Sequence, residues 1–379
     1  MRVGVPRETA PGERRVALVP ESAKKLIQAG YEVVVEAGAG SEAGYGDAAY
    51  RENGATIETD RAQVVSEADL LLKVGPPARD EVGMMRAGAI YLGSLMPLRN
   101  TAAVRALAER RITAFSTDAI PRTTRAQSMD TLSSMANIAG YKGVLLAASE
   151  LNKYFPMLMT AAGMVPPAKV FVIGAAVAGL QAIATAKRLG ANVTATDVRP
   201  EVKEQIESVG GKYVGIELGE AASAGGGYAK ELSEGDKARQ RELLAAQVAQ
   251  SDVVITTALI GGVFAPRLLT AEMVRSMKPG SVIVDLAADG GGNVELSKPG
   301  ETVEIGGVTI MAPLNLAASL PLHASLLFSR NLTAFVLAFT KDKAFQLDRA
   351  DDIQQGAVIT HDGEVTHART RDAMQKGAA

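Results

Sequence analysis

The stretch KVFVIGAAVAGLQAIATAKRLGANVTATDVR, residues 169–199, decides the fold. An apolar run after Lys169 reaches Gly174, a helical run follows to Gly190, and a second run ends at Asp197. The spacing predicts a buried strand, a tight turn, a helix and a second parallel strand. Gly174 makes the turn, and Gly179, lacking a side chain, lets the helix pack closely on the sheet. Val177 opens a helix whose free N–H groups and partial positive charge suit a pyrophosphate without any basic side chain. Ala176 stands where the usual fingerprint has its middle glycine, so a methyl group has to fit beside the phosphates. Asp197, followed by Val198, ends the second strand where a carboxylate accepts both ribose hydroxyls of an adenosine and opposes a 2′-phosphate. Arg199 pulls the other way, since an arginine nearby accommodates that phosphate. The position of Asp197 favours NAD(H) over NADP(H).

Two further strands end in polar or glycine-rich loops, DVVITTALIGG (252–262) and GSVIVDLAADGGGN (280–293). Ligands of open parallel sheets sit beyond the carboxyl ends of strands, so Thr257, Ala258 and Leu259, with the loop 289–293, should line the nicotinamide half. GEAASAGGGYAKELSEGDKAR (219–239), with Gly227 and Tyr228, reads either as a lid folding over bound nucleotide or as a surface loop. Earlier in the chain RVGVP, ESAKKLIQAG, YEVVVEAG and ADLLLKVG alternate strand and helix, the pattern of a parallel sheet covered on both faces. A long helix over 130–151 carries Leu132, Met135, Ile138 and Ala139 at helical spacing and is long enough to cross between domains. After GGVTIMAP the Leu, Ala and Phe residues regain helical spacing, which predicts a return helix packing on the first domain. The expected fold is α/β, with two Rossmann-like domains built on parallel sheets and linked by long helices. The first domain is discontinuous, 1–132 and 310–379, and 133–309 is the NAD(H)-binding domain.

Composition excludes several classes. A chain of 379 residues is too long for one compact core and fits two. A net charge of −2, with both signs spread along the chain, offers no cationic face for nucleic acid. With no cysteine there is neither a disulfide framework nor a thiolate for catalysis or metal. The N-terminus has no signal-peptide apolar region, and the run 170–186 is shorter than the ~20 residues a bilayer needs and is broken by Gly174 and Gly179. A cytoplasmic chain without a membrane span is expected. Dehydrogenases that oxidise an alcohol or amine need an acid or base, most often histidine, beside the hydride acceptor. The three histidines here are all late: His323 in a helical apolar run, His361 and His367 around the turn DGE of an exposed hairpin. They read as surface or packing residues, with no metal site.

IPRTTRAQSMDTLSS (120–134) places Arg122, Arg125, Gln127 and Asp130 close together in a largely apolar chain. Asp130 reads as the N-cap of the long helix. The runs RAQSMDTLSSMANIAGYKGV, GGYAKE, TTALI and MKPGSVIVDLA, together with the nucleotide stretch, carry a resemblance that covers essentially the whole chain. It resembles the NAD(H)-binding component of proton-translocating NAD(P) transhydrogenases, carried on the first segment of their alpha subunit. RVGVPRET, RRVALVP and ADLLLKV are also similar to alanine dehydrogenase.

The resemblance implies that Arg122, Gln127 and Asp130, with Arg125 and Ser133 beside them, orient the dihydronicotinamide and its ribose toward a second nucleotide. It implies hydride transfer from NADH to NADP+ on an NADP-binding beta subunit, and a separate membrane-spanning alpha subunit that couples transfer to proton movement. The chain would be a homodimer, peripheral on the cytoplasmic face of the inner membrane. In the alanine dehydrogenases the positions of Arg15 and Lys73 hold the substrate, that of Leu95 carries the catalytic histidine, and that of Asp289 the assisting aspartate. Transfer between two nicotinamides moves no proton in the chemical step, so Leu95 is no loss to a transhydrogenase. An alanine dehydrogenase and a noncatalytic NAD-binding regulator remain the alternatives.

Overall fold

Val33, Val34 and Val35, and Leu70, Leu71 and Leu72, are buried without alternation. Only a strand covered on both faces buries every side chain, which is why such runs build parallel sheets flanked by helices. The computed structural model describes residues 1–215, 223–224, 228–229, 233–259 and 264–376. They divide into two units, Met1–Met135 with Ala318–Ala379, and Ala136–Ala317. No helix among the described residues is long and apolar enough to cross a membrane.

The first unit holds an eight-stranded sheet ordered Glu364–Val365, Val358–His361, Thr113–Ser116, Ile90–Gly93, Leu70–Leu72, Arg2–Val5, Glu32–Glu36, Thr56–Glu58. The last six run parallel, and strand order reverses at Arg2–Val5 and Leu70–Leu72, where such sheets bind ligands. The helix Pro321–Ala338 returns the chain to this unit and buries Phe328, Leu332, Phe335 and Val336 in its core. The hairpin expected at DGE is present, Val358–His361 pairing antiparallel with Glu364–Val365 across the exposed Asp362 and Gly363, but its first strand is not exposed. Val358–His361 pairs antiparallel with Thr113–Ser116, and Val358, Ile359 and Thr360 are buried, because the strand completes the sheet. His323, expected in an apolar helical run, lies on the exposed side of that helix.

The second unit holds a seven-stranded sheet ordered Lys212–Tyr213, Asn192–Thr196, Lys169–Ile173, Val253–Thr256, Val282–Asp285, Val308–Met311, Thr302–Ile305. All neighbours are parallel except the antiparallel edge strand Thr302–Ile305. Order reverses at Lys169–Ile173, so the crevice outside Ile173 and Thr256 is the ligand position of this sheet. Val308–Met311 pairs with Val282–Asp285 in register Val282 with Thr309 through Val284 with Met311. A domain boundary at 309/310 therefore cuts a strand of the second sheet, and the chain leaves this unit only after it. The long helix runs Thr131–Glu150 and contains the division between the units.

Candidate functional site

The nucleotide turn follows from two glycines. Gly174 has φ +95, in the left-handed region, and a Cβ there would lie 2.6 Å from Thr257 Oγ1. A Cβ on Gly179 would lie 1.8 Å from the Gly174 carbonyl oxygen, so the helix Val177–Arg188 approaches the turn as closely as only glycine permits. Ala176 is the N-cap of this helix, with φ −79, ψ −168 and no side-chain cap, and its methyl is exposed. This conformation is ordinary extended backbone, which alanine adopts without strain. Helix N–H groups without a side-chain acceptor are the donor set that an anion takes up.

Asp197 follows directly on Asn192–Thr196. Its Oδ2 accepts from the Ala175 N–H at 2.7 Å, and its Oδ1 from the Arg199 N–H at 2.9 Å. The Arg199 guanidinium forks onto both oxygens, 2.9 Å each, and this hydrogen-bonded pairing raises the arginine's pKa. Asp197 and Arg199 thus act as one unit: the arginine that could welcome a 2′-phosphate is held by the carboxylate that opposes it.

At the next strand end, Thr257 Oγ1 donates to the carbonyls of Ile173 (3.3 Å) and Gly174 (3.1 Å), tying it to the nucleotide turn. Ala258 is half-buried and Leu259 exposed. Two residues build this corner, one unremarked in the sequence and the other visible there only as a loop end. Asp285 is fully buried and accepts from Thr256 Oγ1, Ser297 Oγ and the N–H groups of Ala287, Asn293 and Val294. Asn293, also fully buried, bonds Ala258 and Pro266. A carboxylate at the end of an apolar strand, VIVD, and an asparagine closing a glycine run were the available signals. Asp289 accepts from the Asn315 N–H at 3.2 Å. Gly227 and most of 219–239 up to the helix Glu234–Gln250 lie outside the described residues; Tyr228–Ala229 pairs antiparallel with Ser223–Ala224.

The loop 120–134 belongs to the first unit. Its turn Thr124–Met129 is a 3-10 helix anchored by buried Ala126 and Met129, and Asn331 Nδ2 of the return helix donates to the Ser128 carbonyl at 2.8 Å. Asp130 caps the long helix: its carboxylate accepts from the Ser133 N–H (2.8 Å) and Ser133 Oγ (2.6 Å). Gln127 is exposed on this turn, and Arg122 is exposed just before it. Arg125, expected at the cofactor, pairs in this structure with Asp351 (2.6 Å) and Asp352 at the start of Asp352–Ala357. It braces the turn against a neighbouring helix.

Lys73 follows Leu70–Leu72 at the switch point of the first sheet and is 1% exposed. Its Nζ lies 2.7 and 2.8 Å from the Glu81 oxygens and 3.4 Å from Glu8. Arg61 joins Glu81 to Glu36. Burial pushes the Glu8 carboxyl above its usual range, and Lys73 only partly offsets this. Arg15 pairs with Glu13 at 2.6 Å and stands over the Phe328 ring. Both cations are thus held by carboxylates of the chain itself. Leu95 is fully buried among Val82, Met85 and Leu107, and its N–H donates to Ser116 Oγ. Next to it Asp118, its carboxyl raised by burial, accepts from Ser94, Ser116 and the Met96 N–H.

A family model described as alanine dehydrogenase/PNT, N-terminal domain, matches residues 4–139, and one described as the C-terminal domain matches 143–368. The chain belongs to the alanine dehydrogenase/PNT family. Within that family it is 47% identical over 376 residues to the first part of the NAD(P) transhydrogenase subunit alpha of Rhodospirillum rubrum, covering 97% of this chain and 98% of that one. It is 43% identical over 367 residues to the NAD(P) transhydrogenase subunit alpha of Haemophilus influenzae, covering 96% of this chain and 71% of that one. The solved transhydrogenase structure from Sinorhizobium meliloti is 45% identical, with TM-score 0.88, and the match covers 96% of this chain and 100% of that one. An L-alanine dehydrogenase structure is 26% identical with TM-score 0.84, covering 99% of each chain. The resemblance carried by the motifs is borne out, as is the α/β fold of two Rossmann-like domains.

Proposed function

We propose that this member of the alanine dehydrogenase/PNT family binds NADH on its second unit and passes hydride to NADP+ held on a partner subunit. The observation that carries this reading is the condition of the first switch point. Leu95, an apolar and fully buried residue, stands where the resemblance puts the alanine dehydrogenases' histidine, and Lys73 and Arg15 are already paired with Glu81, Glu8 and Glu13. Leu95 has no proton to give, and both cations that would meet a substrate carboxylate are engaged, whereas the dinucleotide turn is complete. Chemistry that needs position rather than a base fits this combination.

In this reading the N-terminus of Val177–Arg188 holds the pyrophosphate, Gly174 and Gly179 give it room, and Asp197 accepts from the adenosine ribose. Bound NADH supplies the hydride at nicotinamide C4. Arg122 and Gln127 orient the carboxamide and ribose, on a turn held rigid by Asp130, Arg125 and Asn331. The transhydrogenase reading also carries a homodimer, an NADP-binding beta subunit, and a separate membrane-spanning alpha subunit that couples transfer to proton translocation. This chain would then lie as a peripheral subunit on the cytoplasmic membrane face. The test is to mix it with the NADP-binding partner domain and assay transhydrogenation. Transfer supports the reading; NADH oxidation by pyruvate and ammonia with this chain alone would replace it.

A further inference from the structure

The end of Val253–Thr256 was expected to meet the nicotinamide half, yet both backbone polar groups of Ala258 there are already spent. The side-chain amide of Asn293 forms a closed pair with Ala258: Oδ1 accepts from the Ala258 N–H at 3.0 Å and Nδ2 donates to the Ala258 carbonyl at 2.9 Å. The second Nδ2 hydrogen goes to the Pro266 carbonyl at 2.8 Å. The backbone of Asn293 is equally committed, its N–H to Asp285 Oδ1 at 3.1 Å and its carbonyl to the N–H groups of Leu268 and Leu269. A fully buried amide with every donor used is held in one orientation, and losing one partner would leave the others unpaired. The Thr257 N–H donates to the Ile173 carbonyl, and its hydroxyl proton is given to the nucleotide turn.

We propose that Asn293 is a positioning residue for the nicotinamide half of the nucleotide. By consuming both backbone polar groups of Ala258, it leaves the Ala258 methyl and the exposed Leu259 side chain as an apolar contact against which the ring packs without hydrogen bonds to Ala258. Asp285, with five donors on its carboxylate, fixes Asn293 from below. The carboxamide must then find its donors on other residues, and the ring's place on this unit is set by shape. The inference rests on the reading that this unit binds NADH.

The test compares NADH with ADP-ribose, which keeps the adenosine and pyrophosphate but has no nicotinamide. Asn293→Ala should weaken NADH by about tenfold, since the freed Ala258 groups make the contact polar and movable, and leave ADP-ribose unchanged. Leu259→Ala, at an exposed side chain that folding does not need, should weaken NADH about fivefold and spare ADP-ribose. If Asn293→Ala fails to fold, Asn293→Ser, which keeps a smaller polar group at the buried position, is put through the same comparison and decides. Equal loss of both ligands in either folded variant, or loss of neither, overturns the proposal. Wild-type protein that binds neither NADH nor ADP-ribose would instead sink the functional reading beneath it, so the two failures are told apart.

Discussion

Removing the Asp130 carboxylate separates the two roles of the loop 120–134. Asp130→Ala deletes the acceptor of the Ser133 N–H and of Ser133 Oγ, and with it the negative charge at the start of the helix Thr131–Glu150. Loss of such a cap costs about 1 kcal/mol, and loss of the favourable contact with the helix dipole adds about 0.3–1. A destabilisation of about 1–2 kcal/mol lowers the thermal midpoint of a unit this size by about 2–8 °C. Asparagine caps about as well as aspartate, so Asp130→Asn should remain within about 2 °C of the parent. The assay is a thermal midpoint for the three proteins, with NADH affinity and single-turnover transfer measured well below it. Transfer should fall strongly in Asp130→Ala, because the turn bearing Gln127 loses its foot, and little in Asp130→Asn. An unchanged midpoint in Asp130→Ala would refute the capping argument outright.

Three further expectations concern other residues. Asp197→Asn should narrow the preference for NADH over NADPH by about 1–3 kcal/mol, roughly 5- to 150-fold, since Arg199 loses its carboxylate fork and becomes available to a 2′-phosphate; titration of both nucleotides checks it, and an unaltered ratio counts against the pair. Burial raises the Glu8 carboxyl, so its contribution is fully present below the unfolded value of 4.5 and is lost as pH rises through the folded value. Against Glu8→Gln, wild-type midpoints should therefore improve on acidification from neutrality toward that pH; a steady decline relative to the variant would show the opposite shift. Pyruvate with ammonia should leave NADH oxidation unstimulated, and turnover of ~1 per second or more would restore the alanine dehydrogenase alternative.

The nucleotide unit was legible because its glycines have steric reasons that sequence spacing exposes. Gly174 and Gly179 sit where a Cβ would meet Thr257 or a carbonyl, and Asp197 ends the strand beside them. That Ala176 takes its place without backbone strain shows only in three dimensions, since its φ of −79 and ψ of −168 need no glycine. The ion pairs of Arg125 were not legible, because its partners Asp351 and Asp352 are distant in sequence. The hairpin at DGE was legible, but the burial of its first strand, Val358–His361, was not, since its other partner, Thr113–Ser116, lies far upstream. Asn293 is marked locally only as the end of a glycine run, because its work is done through the backbones of Ala258 and Pro266.

The central claim is direct hydride transfer between two nicotinamides without a protein acid or base. It is tested most directly by loading this chain with NADH carrying deuterium at the transferring C4 position, adding the NADP-binding partner domain with NADP+, and following the label through one turnover. The account predicts that the deuterium appears at C4 of the acceptor nicotinamide, with none released to water and with Gln127→Asn slowing the step roughly a hundredfold at little cost in NADH affinity. Deuterium appearing in water, or an unaltered rate in a folded Gln127→Asn variant, would contradict it.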